Sequence, residues 1–330
     1  MSSAASAAAP AAKKPWLAHP EDVHCVLFDV LLKAGYVAAF AAWLNWERVP
    51  ALAGSGEWGR TAFTFAAALM LGWCSGINVG VNFHNHAHRR VFTREWLNVW
   101  FGRFWTLSGG WPSYFWQHSH VVVHHAHLLD PEVDWTLMKR RKDGSFENIY
   151  VYSFLSWPWR YAVGLWRDYS SGRWGPIGGT ALKEFLIFLA LYSVPFWIDW
   201  RMGLGLWLLP SWLANAMVMA PGMYAQHADC VRKSADKPYS HSTTFLNKFF
   251  NLSMFNIGYH IEHHDHPMTH WSDLPKLHER MKPELIAAGA HVTDLGYYRA
   301  GQLLCRATFL RSALERWRRQ HPDYVRKTSP

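Results

Sequence analysis

Apolar positions along this chain gather into four long runs separated by polar stretches, and these runs set the first expectation. A helix crossing the hydrocarbon core of a membrane needs about 20 mostly apolar residues. The run at 61–82 meets this with no charge inside it, and 202–225 meets it despite Pro210 and Pro221. Two weaker runs accompany them. One, at 30–46, carries Lys33, which can pair with Asp29 one turn earlier. The other, at 185–200, contains Pro195 and follows Lys183 and Glu184. Short links at 47–60 and 199–201 join the runs as two hairpins. The pattern predicts an all-α integral membrane protein of four transmembrane helices. Two hairpins return to the side they left, so 83–180 and 226–330 form one cap. An Ala/Ser-rich start, residues 1–12, heads a tail expected to be disordered through residue 22, and 23–330 is expected to be a single domain.

Charge sets the orientation. The net charge is +9, and most Lys and Arg lie outside the apolar runs. That distribution fits a basic cytoplasmic face better than a nucleic-acid surface, and it puts the cap in the cytoplasm. The 21 Trp suit aromatic belts at the membrane surface. Together with 20 His they explain why half the residues are hydrophobic while the mean hydropathy is only −0.12. The segments 94–107 and 150–166 are aromatic and amphipathic and suit the interface plane. The stretch 303–319 reads as a basic amphipathic helix. Lys13 and Lys14 precede an apolar stretch, but Asp29 and Lys33 lie inside it and no small-residue cleavage site closely follows, so a retained helix is expected. The four cysteines, Cys25, Cys74, Cys230 and Cys305, form no C-x-x-C pair, which argues against a zinc ribbon, a fused rubredoxin-like site or a disulfide scaffold.

The chemistry lies in the histidines. They cluster as HNHAH (His84 to His88), HSHVVVHHAH (His118 to His127) and HIEHH (His260 to His264). On a helix, positions i and i+4 share a face. His84 with His88, and His120 with His124, can each chelate one ion. His260 can pair with either His263 or His264, and His227 adds one ligand at the end of the fourth run. With one of the two further histidines of the second cluster, His125 or His127, the set comes to nine imidazoles. Imidazole suits zinc, copper, iron and nickel alike, so ligand type does not choose the metal. Nine is too many for one ion, since structural zinc takes four ligands and catalytic zinc about three. It suits two ions with open positions.

These boxes resemble those of the membrane fatty acid desaturase and hydroxylase superfamily, over roughly residues 25 to 300. His84 and His88 match the family's first box. His120, His124 and His125 match the second in its longer form, with Trp116 placed as the family often has it. His260, His263 and His264 match the third, and His227 matches its lone histidine after the fourth span. The third box, NIGYHIEHHDHP, with Leu274 and Pro275 beyond it, is most similar to sphingolipid-type desaturases. The resemblance implies a four-helix stem, a cytosolic cap and a non-haem di-iron centre that uses O2 to oxidise an acyl chain. His127, seven residues after His120, competes with His125 for the second box. His86, His118 and His266 read as supporting or surface histidines. Asp130, Asp134, Glu262 and Asp265 are candidates to accept the second N–H of a ligand histidine. Asn256, one turn before His260, is a candidate to bond a metal-bound water, so Asn256 and Glu262 are the candidate catalytic residues.

Desaturation of a fatty acid or membrane lipid is the leading reading. Hydroxylation, or decarboxylation to a terminal alkene, would follow from the same centre. A membrane metal transporter would place histidines inside the spans, where none lies. A zinc protease needs HExxH, and HIEHH sets its Glu one position late. The chain carries neither an HPGG haem motif nor paired cysteines. Its electrons are therefore expected from a separate donor of ferredoxin, rubredoxin or cytochrome b5 type with its reductase. The basic run at 139–142 is a candidate dock for it.

Overall fold

The protein is described from a computed structural model that covers residues 15–139, 146–174, 178–294 and 320. The basic stretch at 303–319 and positions 140–142 of the basic run lie outside the described residues. A backbone without water to bond must satisfy its own polar groups, and the four apolar runs do so as helices. The elements, in chain order, are α1 (Asp22–Leu44), α2 (Gly56–His88), α3 (Glu95–Leu107), α4 (113–125), α5 (151–170), α6 (Gly178–Ile198), α7 (Trp200–His227), β1 (Thr243–Phe245), α8 (Lys248–Ser253), α9 (His260–Asp265), α10 (Leu274–Ala287) and β2 (His291–Thr293). The two strands pair in parallel, Thr243 opposite His291. Among the described residues α1, α2, α6 and α7 are the helices long and apolar enough to cross a membrane.

The helices outrun the hydropathy windows, and that is what positions the site. α2 has 33 residues. At 1.5 Å per residue it is about 50 Å long, against about 30 Å of hydrocarbon. It does not stop where the apolar run ends but continues through the first histidine box. α7, of 28 residues, likewise ends at His227. The ligands therefore stand on the projecting ends of rigid spans. Both helices contain π-helical turns near this end, at Asn78–Phe83 in α2 and at Asn215–Met219 in α7. Such turns are rare and recur at functional sites.

α2 and α7 approach closely because glycines line the contact. A Cβ on Gly72 would lie 2.7 Å from Leu213 Cβ, and one on Gly76 would lie 2.5 Å from Val218 Cβ. The i, i+4 spacing of Gly72 and Gly76 is a small-residue packing motif of membrane helices. The charge in α1 is resolved as expected: Lys33 Nζ donates to Asp29 Oδ1 at 2.9 Å, and Asn78 Nδ2 of α2 donates to the same oxygen at 2.7 Å. Asp199 caps α7 by accepting from the Arg201 and Met202 amides. Arg103 of α3 makes two hydrogen bonds to Glu184 of α6, at 2.8 and 2.6 Å, which explains a carboxylate at the start of that span.

The expectation of a disordered tail through residue 22 is corrected at its end. Residues 15–21 lie against the strand-like segment after the first box. Ala18 N donates to Val91 O at 2.8 Å, and Thr93 N donates to Trp16 O at 3.0 Å. Backbone pairing, with Leu17 packed on the core, anchors what composition alone suggested was free. α3 turns Trp96, Trp100 and Phe104 outward, and α5 turns out Trp159, Val163 and Trp166, as interface-lying helices would.

Candidate metal centre

The three boxes and the lone histidine converge. Five imidazoles, those of His84, His88, His120, His125 and His263, form one set. Four, those of His124, His227, His260 and His264, form a second. Within each set the ligand atoms all lie within 4.8 Å of one another. All nine expected residues are thus brought together, and His127 is in neither set.

The grouping departs from the expected pairing in one box. His84 and His88 share a set, as do His260 and His264, following α-helical i, i+4 geometry. His120 and His124 do not. The stretch His118–His125 is π-helical. Hydrogen bonding i to i+5 widens the turn, so His120 shares its face with His125 and turns His124 towards the other set. The third box divides similarly: His263, one residue before His264, joins the first set.

Do these residues fit metal ions? His84 Nε2 lies 2.7 Å from His263 Nε2, which lies 3.2 Å from His125 Nε2, itself 3.1 Å from His120 Nε2. One ring nitrogen offers either one hydrogen or one lone pair. His263 cannot satisfy both neighbours, whereas a cation between them satisfies all. In the second set the tautomers are fixed from outside. His124 Nδ1–H donates to Asp134 Oδ2 at 3.1 Å, and His227 Nδ1–H donates to the His241 carbonyl at 3.1 Å. Each ring then presents a lone pair at Nε2. Among the described residues, His124 Nε2 and His88 Nε2 are buried without a hydrogen-bond partner. Lone pairs aimed inward, with none of the partners a buried polar atom needs, are what a cation site requires. Burial and neighbouring imidazoles together push His120, His125, His260, His263 and His264 well below the usual histidine range, so these rings are in the neutral, metal-binding form at neutral pH.

The supporting residues divide unevenly. Asp134 is held by Thr136, whose hydroxyl donates to Oδ1 at 2.5 Å, and it orients His124 as anticipated. Glu262 does not reach a box histidine. Sitting two residues after His260, it faces away, accepting from Thr244 Oγ1 at 2.6 Å and from His278 Nδ1 at 2.5 Å. Asn256 has positive φ in the turn before α9, and its Nδ2 donates to the Trp271 carbonyl at 3.1 Å. Asp130 pairs with Arg232 and Asp265 with Lys233. His118 is buried against Asp168 at 3.1 Å and stacks on Trp174; His86 is buried beside Trp105; His266 is exposed. Sequence reasoning missed Thr136 and the His241 carbonyl. A carbonyl carries no side-chain signal, and Thr136 became visible only beside Asp134.

A third group, His19, His270 and Asp273, was also unforeseen. Its rings stack face to face, 3.7 Å between centroids, while His270 bonds Asp22 at 2.9 Å and Ser272 at 2.7 Å. An ion lies in the plane of a ligand ring, so stacked rings share one poorly. The group fastens the start of α1 to the segment after α9.

An apolar slot reaches the imidazoles. It has about 50 Å³ of free volume, room for a few water-sized groups, and touches His84, His120 and His260. Gly80, one turn before His84, and Met219 of α7, which packs closely against it, both line the slot. Trp157, Tyr161 and Met254 complete its walls.

No curated protein and no solved structure matches the chain significantly. The sequence model for the fatty acid desaturase family, by contrast, matches residues 60–296, a stretch that runs from the start of α2 through every imidazole of both sets. The chain belongs to the fatty acid desaturase family.

Proposed function

We propose that the chain is an O2-dependent acyl-chain desaturase that holds two irons, one in each imidazole set, and introduces a C=C bond into a fatty acid or membrane lipid. The observation that carries this reading is the division of nine imidazoles into two adjacent sets beside one apolar slot. Bound iron would supply O2 activation and the oxidising power to remove hydrogen from an unactivated carbon.

The chain's own residues do the rest. His84, His88, His120, His125 and His263 would hold one ion; His124, His227, His260 and His264 the other. Asp134 keeps His124 in the tautomer that ligates, and the His241 carbonyl does so for His227. The slot walls are mainly apolar, so acyl methylenes entering it would meet His84, His120 and His260 in a mostly apolar setting. The positive-inside pattern supports a cytoplasmic position for the site, and the family match supports a redox partner that supplies the electrons.

The test is expression in a membrane with a donor and its reductase, followed by mass spectrometry of total lipids. Loss of two mass units from an acyl chain, abolished by His260→Ala, supports the reading. Gain of one oxygen, or release of a terminal alkene, would replace desaturation with hydroxylation or decarboxylation. Metal uptake into proteoliposomes without oxygen consumption would favour a transporter.

A further inference from the structure

A metal-ligating imidazole has a second nitrogen, and the partner of that nitrogen sets the ring's tautomer and its basicity. In the second set Asp134 serves His124 and the His241 carbonyl serves His227. The end of α2 offers a counterpart for the first set. A small cavity of about 10 Å³, room for one water, lies against His88. It shares no lining residue with the acyl slot. The slot meets the first set at His84 and His120, and the small cavity meets it at His88.

The walls of this cavity are polar. Asp22, Asn85, Arg89, His270 and Trp271 line it together with His88. Among the described residues, Asn85 Nδ2 and Trp271 Nε1 are buried without a hydrogen-bond partner. A cavity of one water's size, with donors to satisfy and a carboxylate in its wall, suits an ordered water. Asp22 is only 3% exposed. It is held from behind. Ser272 N donates to His270 Nδ1 at 3.3 Å, so the His270 proton sits on Nε2, which donates to Asp22 Oδ1 at 2.9 Å. A carboxylate has about four acceptor positions, so one such bond leaves it able to accept from a water. The pairing of residues 15–21 with the segment after α2 brings Asp22 to this end of the molecule.

We infer that Asp22 is a positioning residue for the first imidazole set: a water in this cavity accepts from His88 Nδ1–H and donates to the Asp22 carboxylate. His88 Nε2, which is buried, then keeps its lone pair for the ion. The inference rests on the reading of the imidazole sets as metal sites. It gives His270 a task beyond fastening α1, because its Nε2–H fixes the carboxylate that fixes the ligand. It also gives each set one buried carboxylate, Asp134 in direct contact and Asp22 through water. Negative charge behind His88 makes the ring a stronger donor and favours the higher oxidation state of the ion it holds.

The test uses the full chain in detergent on two backgrounds. In His227→Ala the first set holds the tighter ion, and in His84→Ala the second set does. Iron(II) and, in parallel, zinc(II), which imidazole sites also accept, are titrated anaerobically against a chelator of known affinity. On the His227→Ala background Asp22→Asn, which keeps the shape and removes the charge, raises the Kd of the tighter ion about tenfold and raises the midpoint potential of bound iron. On the His84→Ala background it changes neither. His19→Ala removes the ring stacked on His270 but not the carboxylate. It lowers the melting temperature and leaves Kd and potential unchanged, which separates positioning from mere fastening. An unchanged first-set Kd, equal weakening of both sets, or a potential that His19→Ala moves as far as Asp22→Asn does, overturns the inference. If zinc(II) shows the Asp22 effect while iron(II) is not retained, the acyl-oxidase reading fails and the positioning role stands. If neither ion binds, both fail.

Discussion

Asp134→Asn separates the two imidazole sets. The Asp134 carboxylate is fully buried. Its Oδ2 accepts from His124 Nδ1 at 3.1 Å and from the Leu129 amide at 3.3 Å; its Oδ1 accepts from Thr136 N at 3.3 Å and Thr136 Oγ1 at 2.5 Å. All four groups act as donors, and an amide of the same shape brings an NH2 in place of one oxygen. If that NH2 faces His124, the imidazole must take the other tautomer, and Nε2 loses the lone pair it turns to the second set. If it faces Thr136, the Thr136 amide is left without an acceptor, at a cost of about 1–3 kcal/mol in stability, and His124 loses the negative charge behind it. Loss of such an outer partner typically weakens metal affinity about 10- to 100-fold, or about 1.4–2.7 kcal/mol. Among the described residues Asp134 makes no hydrogen bond to the first set. Iron content should therefore fall from two towards one per chain as chelator is titrated, with the second equivalent lost at about 10- to 100-fold lower chelator than in wild type. Equal weakening of both equivalents, or none, would refute the assignment of Asp134 to His124 and of His124 to its own set.

Other consequences follow from the same geometry. His125→Ala should abolish turnover and lower iron content, whereas His127→Ala should leave both near wild type; the reverse pattern by metal analysis would exchange their roles. Glu262→Gln should lower thermal stability by about 1–3 kcal/mol, since it disturbs buried bonds to Thr244 and His278, yet leave two irons bound; a metal-depleted but stable variant would show Glu262 acting on the ligands instead. Gly76→Leu places a side chain where a Cβ already meets Val218 at 2.5 Å; overpacking of about 1–3 kcal/mol or more should appear as reduced yield and melting temperature in detergent, and a variant of wild-type stability would remove the close α2–α7 contact.

Much of this arrangement is written in local sequence. The four spans follow from apolar run length, and the Lys33–Asp29 pair from one-turn spacing. The boxes stand out because histidines recur at intervals a helix converts into faces. What local pattern does not encode is the type of helix. Nothing in HSHVVVHH announces a π-helical turn, so α-helical reasoning pairs His120 with His124 when the wider turn pairs His120 with His125. Nor does hydropathy mark where a helix ends: it records where the lipid ends, and α2 continues for another turn and more to carry His84 and His88 out of it. Glu262 shows the converse limit. Its neighbours in sequence are ligands, but a residue two positions after His260 points to the opposite side, into the packing of α9 on α10.

The central claim is two metal sites in one chain, and metal analysis of the detergent-purified protein, wild type beside His84→Ala and His227→Ala, tests it most directly. The account predicts close to two irons per chain in wild type after anaerobic ferrous reconstitution, with each variant losing affinity in the set it belongs to. A single stoichiometric zinc, or no iron retained under those conditions, would contradict it.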